Sequence, residues 1–134
     1  MIIKILPDKE KAKSIFQMVE SRQQFLEDLE KIKAYPTIIV ENYYEVIKEL
    51  CTAIILIDGY KTIGESAHKE LIDLIGKYKE FSRFEIEIIH DLRIRRNKSS
   101  YEGKPIELDY LLNKKEIFIK IIIKLKKILE RKIV

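Results

Sequence analysis

One segment near the end of the chain gathers side chains that suit the binding of a negatively charged group. Three arginines, an asparagine and a lysine fall within six residues, and two serines and a tyrosine follow them. These residues are Arg93, Arg95, Arg96, Asn97, Lys98, Ser99, Ser100 and Tyr101. Guanidinium groups match the oxygens of phosphate in geometry, and hydrogen bonds between charged groups are the strong ones. The segment therefore predicts a phosphate cradle, with the positive charge supplied by the arginines and Lys98.

A structural role for the same arginines stays open. Apolar residues at helical spacing predict a helix from about Ser82 to Asn97, with Arg95 and Arg96 in its last turn, at the boundary between core and water. Cations there offset the negative end of the helix dipole. The inward side chains of this helix are predicted to be Phe84, Ile88, Ile89 and Leu92, and the outward ones His90, Arg93 and Asn97. The SSYEGKP stretch that follows is predicted to be a loop because of its Gly, Pro and serines.

Most other site chemistries have no support in the chain. His68 and His90 are its only histidines and stand in no metal-binding spacing, so no metal site and no cofactor is predicted. The GYKTIG stretch lacks the lysine and hydroxyl pair of a nucleotide-binding P-loop and is interpreted as a helix connection. Cys51, the single cysteine, lies in an apolar run and is predicted to be buried and reduced.

Hydrophobic periodicity and a scarcity of turn residues predict the fold class. The chain has only 4 Gly and 3 Pro among 134 residues, and its apolar residues recur every three or four positions. The predicted helices are Asp8–Lys33, Thr37–Ile57, Glu65–Tyr78, Ser82–Asn97 and Ile106–Val134. The second is apolar on most sides and is expected to be the central helix. We expect one domain over residues 1–134, an all-α, up-and-down bundle of about five helices, with the first six residues unplaced.

Charge is unevenly distributed along the chain. The net charge of +4 divides into −3 for residues 1–90 and +7 for residues 91–134. A polyanion could dock on the basic last third, although lysine-rich helix faces are usually solvated surface. The N-terminus lacks a signal peptide, and no apolar run is long enough to span a membrane. A cytoplasmic protein without a membrane partner is predicted.

Two stretches of the sequence resemble the HEPN superfamily of small all-α proteins. They are the region from Glu41 to Ile75 and the RRNKSSYEG segment from Arg95 to Gly103, which together with the helix order cover most of the chain. The resemblance implies a dimeric helical bundle associated with nucleotidyltransferase partners, toxin–antitoxin pairs and RNA cleavage. In the nuclease members the motif is an arginine, a polar residue, three variable residues and a histidine. Arg96 and Asn97 match its start, and Tyr101 takes the histidine position.

The tyrosine at the histidine position argues against RNA cleavage, because a phenol with a pKa near 10 is a poor general base at neutral pH. The resemblance then implies a nucleotide or RNA phosphate held at an Arg/Asn/Tyr cleft. Arg96 would grip the phosphate, Asn97 would orient it, and Tyr101 would donate a hydrogen bond or stack on a base. Lys98 and Arg93 would add non-specific attraction. His68 matches a position often held by histidine in these families and is expected to pack between helices.

Two alternative functions stay open. The first is a metal-independent ribonuclease of the toxin type, in which Arg96, Asn97 and Tyr101 retain some catalysis. The second is a structural partner subunit of a nucleotidyltransferase that binds no ligand of its own. In that second case the arginines would cap a helix and form salt bridges, and the tyrosine would be buried.

A second apolar face on the last predicted helix indicates a partner. Its main stripe consists of Phe118, Ile121, Ile122, Leu125, Ile128 and Leu129. Ile117, Ile119 and Ile123 fall outside that stripe and need a second surface to cover them. A homodimer is predicted, with the Arg/Asn/Tyr cleft at its interface. A helix embedded deeply in its own bundle would explain the same residues.

Overall fold

The computed structural model describes residues 1–134 and shows a helical bundle with a small accessory sheet. The helices are α1 (Lys9–Lys31), α2 (Pro36–Ile57), α3 (Ala67–Ile75), α4 (Arg83–Glu102) and α5 (Leu108–Ile133), and the strands are β1 (Ile2–Lys4) and β2 (Tyr60–Thr62). The prediction of an all-α bundle of five helices is confirmed.

Local chemistry explains where α1 begins and where α2 begins. The Asp8 carboxylate caps α1 by accepting a hydrogen bond from the backbone N–H of Lys11 at 3.0 Å. Proline suits the first turn of a helix but forces the residue before it out of the helical region. Tyr35 is accordingly extended, and α2 begins at Pro36. Both helices lie within two residues of their predicted bounds.

α2 is the central helix of the bundle, as predicted, because it packs against each of the other four helices. More than half of its residues are buried, and Cys51 is among them. α5 packs its predicted stripe on α2, and the ring centre of Phe118 lies 5.4 Å from that of Tyr43 and 6.1 Å from that of Tyr110. Ile119 and Ile123 fall outside this core and are exposed.

The first residues of the chain form a two-stranded sheet with the segment that follows α2. The strands are antiparallel, with Ile3 opposite Lys61 in the register. Gly59 enters β2 with a φ of +88°, and a Cβ there would lie 3.0 Å from the carbonyl oxygen of Ile5, so only glycine fits. GYKTIG connects α2 to α3, as predicted, but it also contains the strand β2, which was not predicted. Strands of three residues are too short for a period-two pattern to reveal them.

α4 is longer than the sequence predicts. It continues through the two serines to Glu102 and ends at Gly103, which has a φ of +68°. The prediction that this stretch begins a loop was wrong, because both serine hydroxyls donate to the Glu41 carboxylate of α2. The donor–acceptor distances are 2.8 Å for Ser99 and 3.1 Å for Ser100. Tertiary acceptors thus override the preference of serine for turns.

The inward face of α4 also differs from the prediction at one position. Ile88, Ile89 and Leu92 are buried as expected, but Phe84 is 58% exposed. The neighbouring Glu85 is buried instead, and its carboxylate accepts a hydrogen bond from the Lys124 amine of α5 at 2.8 Å. Glu85 is thus buried because it is paired with a lysine, whereas the hydrophobic pattern predicts that its neighbour Phe84 faces the core.

The start of α4 supports a stability prediction. The Ser82 hydroxyl accepts a hydrogen bond from the Glu85 backbone N–H at 3.1 Å, and the Ser82 backbone N–H donates to the Glu85 carboxylate at 2.9 Å. Ser82→Ala is expected to lower the free energy of unfolding by about 1 kcal/mol, because it removes half of this capping box. Urea denaturation measures the change. Ser66 precedes α3 without a side-chain capping bond, so Ser66→Ala is the matched control, and an equal loss there would contradict the prediction.

Candidate functional site

The inner side of α4 meets α2 through polar side chains over its last turns. Residues three apart in sequence lie on one side of a helix, and the α4 residues Arg93, Arg96 and Ser99, which face α2, have this spacing. Glutamates and a lysine on α2 stand opposite them at steps of four and three. The cluster comprises Arg93, Arg96, Ser99 and Ser100 from α4 and Glu41, Glu45 and Lys48 from α2.

Arg96 is the residue of this cluster that links α4 to α2. Its Nη2 donates to the Glu45 carboxylate at 3.1 Å, and its guanidinium lies 5.5 Å from the ring centre of Tyr44. Its Nη1 donates to the Asn97 side-chain oxygen at 3.4 Å, which brings two of the predicted site residues together. The helix runs six residues further, so the alternative that Arg96 caps the last carbonyls of α4 was wrong.

The remaining predicted residues of α4 lie elsewhere on the helix. Arg95 donates to Asp91 at 3.0 Å and covers the ring of Tyr110 at 4.1 Å, so it does not cap the helix either. With Lys98 it lines a separate groove of about 240 Å³ beside the α4–α5 loop. Tyr101 is 77% exposed, and no hydrogen bond ties it to Arg96. The predicted set therefore divides between the cluster, this groove and an open surface.

The sequence also predicts that His90, Arg93 and Asn97 point outward, and this was wrong. All three are half-buried. The His90 Nε2 lies 2.7 Å from the Asp73 carboxylate of α3, which fixes the ring between the two helices. α3 packs on this side of α4. The polar side chains there are therefore partly covered and do not form a solvent-exposed face.

Two further site residues come from elements that the sequence analysis did not connect with α4. Tyr44 is buried on α2, and His68 stands near the start of α3, with a distance of 6.2 Å between the two ring centres. The recurrence of Glu41, Glu45 and Lys48 along an otherwise apolar helix was the available signal, because a polar face on a central helix must be covered by polar neighbours.

Two polar atoms at the cluster are buried without a hydrogen-bond partner, and they are the Tyr44 hydroxyl and the Arg93 Nε. The Tyr44 side chain is only 1% exposed. Burial raises the pKa of this phenol to about 12, although the nearby charges of Arg96 and Arg93 lower it. Buried polar groups in proteins are almost always hydrogen-bonded. The two unpartnered donors lie beside a second arginine, Arg96.

The cluster retains an excess of positive charge. Glu45 is the acidic group shared by Arg96 and Lys48, whose amine lies 2.8 Å from the carboxylate. Burial alone would raise the pKa of Glu45, but the hydrogen bond from Lys48 and the charges of Lys48, Arg96 and Arg22 hold it below its usual value of 4.5. Arg93 has no carboxylate partner, since the ion pairs of this region involve the other cations.

The basic last third of the chain is largely neutralised by distant acidic residues. The α5 cations in ion pairs are Lys115 with Glu30, Lys124 with Glu85, Lys126 with Glu20, Arg131 with Glu80 and Lys132 with Asp58. The separation of charge along the sequence thus becomes attraction between α5 and the rest of the bundle. The unpaired positive charge on the inner side of α4 is local to the cluster.

His68, which stands beside the cluster, has a pKa below its ordinary value. Burial and the charges of Lys48, Arg96 and Arg93 lower its pKa below 6.5, against an opposing contribution from Glu45. The unfolded chain therefore takes up this proton at a higher pH than the folded chain. As pH falls below about 6.5, stability is lost until the folded pKa is reached.

In the His68→Gln variant, the free energy of unfolding is expected to depend less on pH below about pH 6.5. The variant removes the titrating group but keeps a polar side chain of similar size. The measurement is the urea midpoint of both proteins at several values between about pH 5 and pH 7. Parallel profiles for the two proteins would show that His68 does not have a lowered pKa.

The arrangement can hold an anion, because two guanidinium groups, an amine and a buried phenol lie close together where α2, α3 and α4 meet. No three His, Cys, Asp or Glu side chains are grouped so that they could hold a metal ion. None of the helices combines the length and the apolar character needed to cross a bilayer.

Comparisons of the chain with protein-family models, with characterised proteins and with solved structures gave no match.

Proposed function

We propose that the chain binds a phosphate-bearing ligand, a nucleotide or an RNA, in the cleft between α2, α3 and α4, without cleaving it. The observation that carries this proposal is the pair of unpartnered buried donors, the Arg93 Nε and the Tyr44 hydroxyl, beside Arg96. Phosphate oxygens accept several hydrogen bonds at once and carry the charge that arginines match best. One phosphate would satisfy both donors.

Each side chain has a distinct part in this binding. Arg93 and Arg96 grip the phosphate, and Asn97 orients the Arg96 guanidinium through their hydrogen bond. The Tyr44 hydroxyl donates to a phosphate oxygen from the floor of the cleft. Tyr101, exposed on the last turn of α4, offers a ring on which a base of a longer ligand can stack.

The proposal extends to the family and to partners. A HEPN-like protein that acts in the cytoplasm as a homodimer, with a nucleotidyltransferase chain as a further partner, accords with the five-helix bundle and with the order Arg96, Asn97 and Tyr101. A bundle of helices around one central helix is compatible with many functions, so the proposed function depends on the phosphate site and not on the fold.

Calorimetric titration with inorganic phosphate, adenosine monophosphate and a single-stranded RNA tests the proposal. Arg93→Ala and Arg96→Ala are each expected to weaken binding about tenfold or more, because each removes a charge-assisted hydrogen bond. Arg95→Ala is the matched control, since it removes the same charge from the opposite side of α4. Equal weakening by all three variants, or no binding of any probe, would contradict a specific site.

RNA cleavage is the second candidate function, and His68 favours it. Its lowered pKa keeps the imidazole neutral at pH 7, as a general base requires, beside arginines that could stabilise a developing negative charge. The test is incubation with single-stranded RNA in the presence of a metal chelator. Cleavage that is lost in both His68→Ala and Arg96→Ala would replace the binding proposal. Cleavage only in Tyr101→His would mean that the cleft binds RNA but lacks a base.

A further inference from the structure

α5 carries an exposed apolar stripe next to the core, on the side of α5 that borders α1. Leu108, Leu112, Ile119 and Ile123 are each between 39% and 62% exposed. Grooves of about 370 and 360 Å³ lie along the stripe, and each of the four residues lines one of them. With a rise of 1.5 Å per residue, the stripe is about 22 Å long. The stripe has two apolar halves, one on each side of the Lys115–Glu30 ion pair, and exposed apolar surface of this kind is typical of an interface.

The spacing of this stripe is symmetric. Its successive steps are four, seven and four residues, which are the same when the helix is followed in either direction. We propose that α5 packs antiparallel on α5 of a second copy of the chain. A twofold axis between residues 115 and 116 then places Leu108 against the partner's Ile123 and Leu112 against the partner's Ile119. A twofold interface requires such self-complementarity.

Charges beside the stripe fit the same arrangement. The intrachain ion pairs of α5 use Lys115, Lys124, Lys126, Arg131 and Lys132. Asp109 and Lys120 remain free and exposed, on one flank of the stripe. The antiparallel register brings Asp109 within about two residues of the partner's Lys120, whereas in a parallel pair the two would be about 11 residues apart along the helices. The unfavourable contact is Glu116, which lies next to the axis and close to the partner's Glu116.

This interface deepens the homodimer part of the proposed function and is independent of its phosphate site. The α5 stripe lies along grooves that Glu30 of α1 and Tyr43 and Pro36 of α2 also line, while the cluster lies between α2, α3 and α4. The stripe and its grooves share no residue with the cluster, so the dimer does not use the side chains of the phosphate site. Failure of the dimer would leave phosphate binding untouched, and failure of phosphate binding would leave the dimer untouched.

Light scattering over a series of protein concentrations tests the interface. The chain is expected to show twice its 16.0 kDa mass, and Leu112→Glu combined with Ile119→Glu is expected to show the mass of one chain. Phe25→Glu changes an exposed apolar residue of α1 and is the matched control, expected to stay dimeric. Circular dichroism verifies that each variant is folded. A monomeric unaltered chain, or dissociation by Phe25→Glu instead, would overturn the proposal.

A charge exchange tests the register. Asp109→Lys and Lys120→Asp are each expected to weaken the dimer several-fold, and the two combined are expected to restore it, because the pairs reform with reversed signs. Glu116→Gln is expected to strengthen the dimer. A combined variant weaker than both single variants would exclude this register.

Cross-linking tests the direction of the helices. Leu112→Cys combined with Ile119→Cys is expected to form a covalent dimer on oxidation, and Leu112→Cys alone is not. Cys51 is completely buried and does not compete. Efficient cross-linking by Leu112→Cys alone would indicate parallel helices and overturn the proposal.

Discussion

The Glu45→Gln variant is expected to bind inorganic phosphate about tenfold more tightly than the unaltered chain. The Glu45 carboxylate accepts hydrogen bonds from Arg96 at 3.1 Å and lies 2.8 Å from the Lys48 amine, so it competes with any incoming anion for both cations. Glutamine keeps the size of the side chain but removes its charge. Calorimetry at low ionic strength measures the change, because salt would screen it.

Glu41→Gln is the matched control for this prediction. Glu41 stands one turn earlier on the same face of α2, but its carboxylate accepts hydrogen bonds from the uncharged hydroxyls of Ser99 and Ser100. Its replacement changes the net charge equally and releases no cation, so phosphate affinity is expected to change less than about threefold. Unchanged or weaker binding by Glu45→Gln would mean that Glu45 positions Arg96 rather than competing with the ligand.

Phe118→Ala is expected to lower the free energy of unfolding by about 3–5 kcal/mol. The Phe118 side chain is completely buried and packs between Tyr43 on α2 and Tyr110 at the start of α5. Its removal leaves a cavity at the contact between the central helix and α5. Domains of this size are stable by only about 5–15 kcal/mol, so the loss is a large part of the total. Urea denaturation at one fixed protein concentration measures it.

Phe84→Ala provides the comparison, since it deletes the same side chain from a position that is mostly exposed. The expected loss is below about 1 kcal/mol, because little apolar surface is returned to water. The hydrophobic patterns of α4 and α5 place both phenylalanines in the core and therefore predict similar costs for both. Equal losses for the two variants would contradict this prediction.

Helical periodicity predicted the fold class and most of the core. The positions that bury Ile89, Leu92 and Phe118 follow from spacing alone, because an amphipathic helix has one way to place its apolar side in a bundle. The pattern was wrong where a charged residue could be paired inside the protein. Glu85 is buried because Lys124 of α5 lies opposite it, and no local rule reveals that neighbour.

The candidate site could be predicted only in part for the same reason. The density of arginines predicted a phosphate cradle that included Arg93, Arg95 and Arg96, because the chemistry of arginine toward phosphate depends only on side-chain type. That Arg95 instead covers Tyr110, on the other side of the helix, depends on the rotation of α4 against α5. The contributions of Tyr44 and His68 depend on α2 and α3 meeting at this point.

The sequence by itself determined five helices, a central α2 and a segment rich in phosphate-binding side chains, because periodicity and side-chain chemistry are local properties of the chain. Only the tertiary structure decided that β1 pairs with β2, that α4 continues through Ser99 and Ser100, and which arginine enters the cleft. Each of these outcomes depends on a hydrogen bond or ion pair between residues distant in sequence, and their proximity arises only when the helices pack.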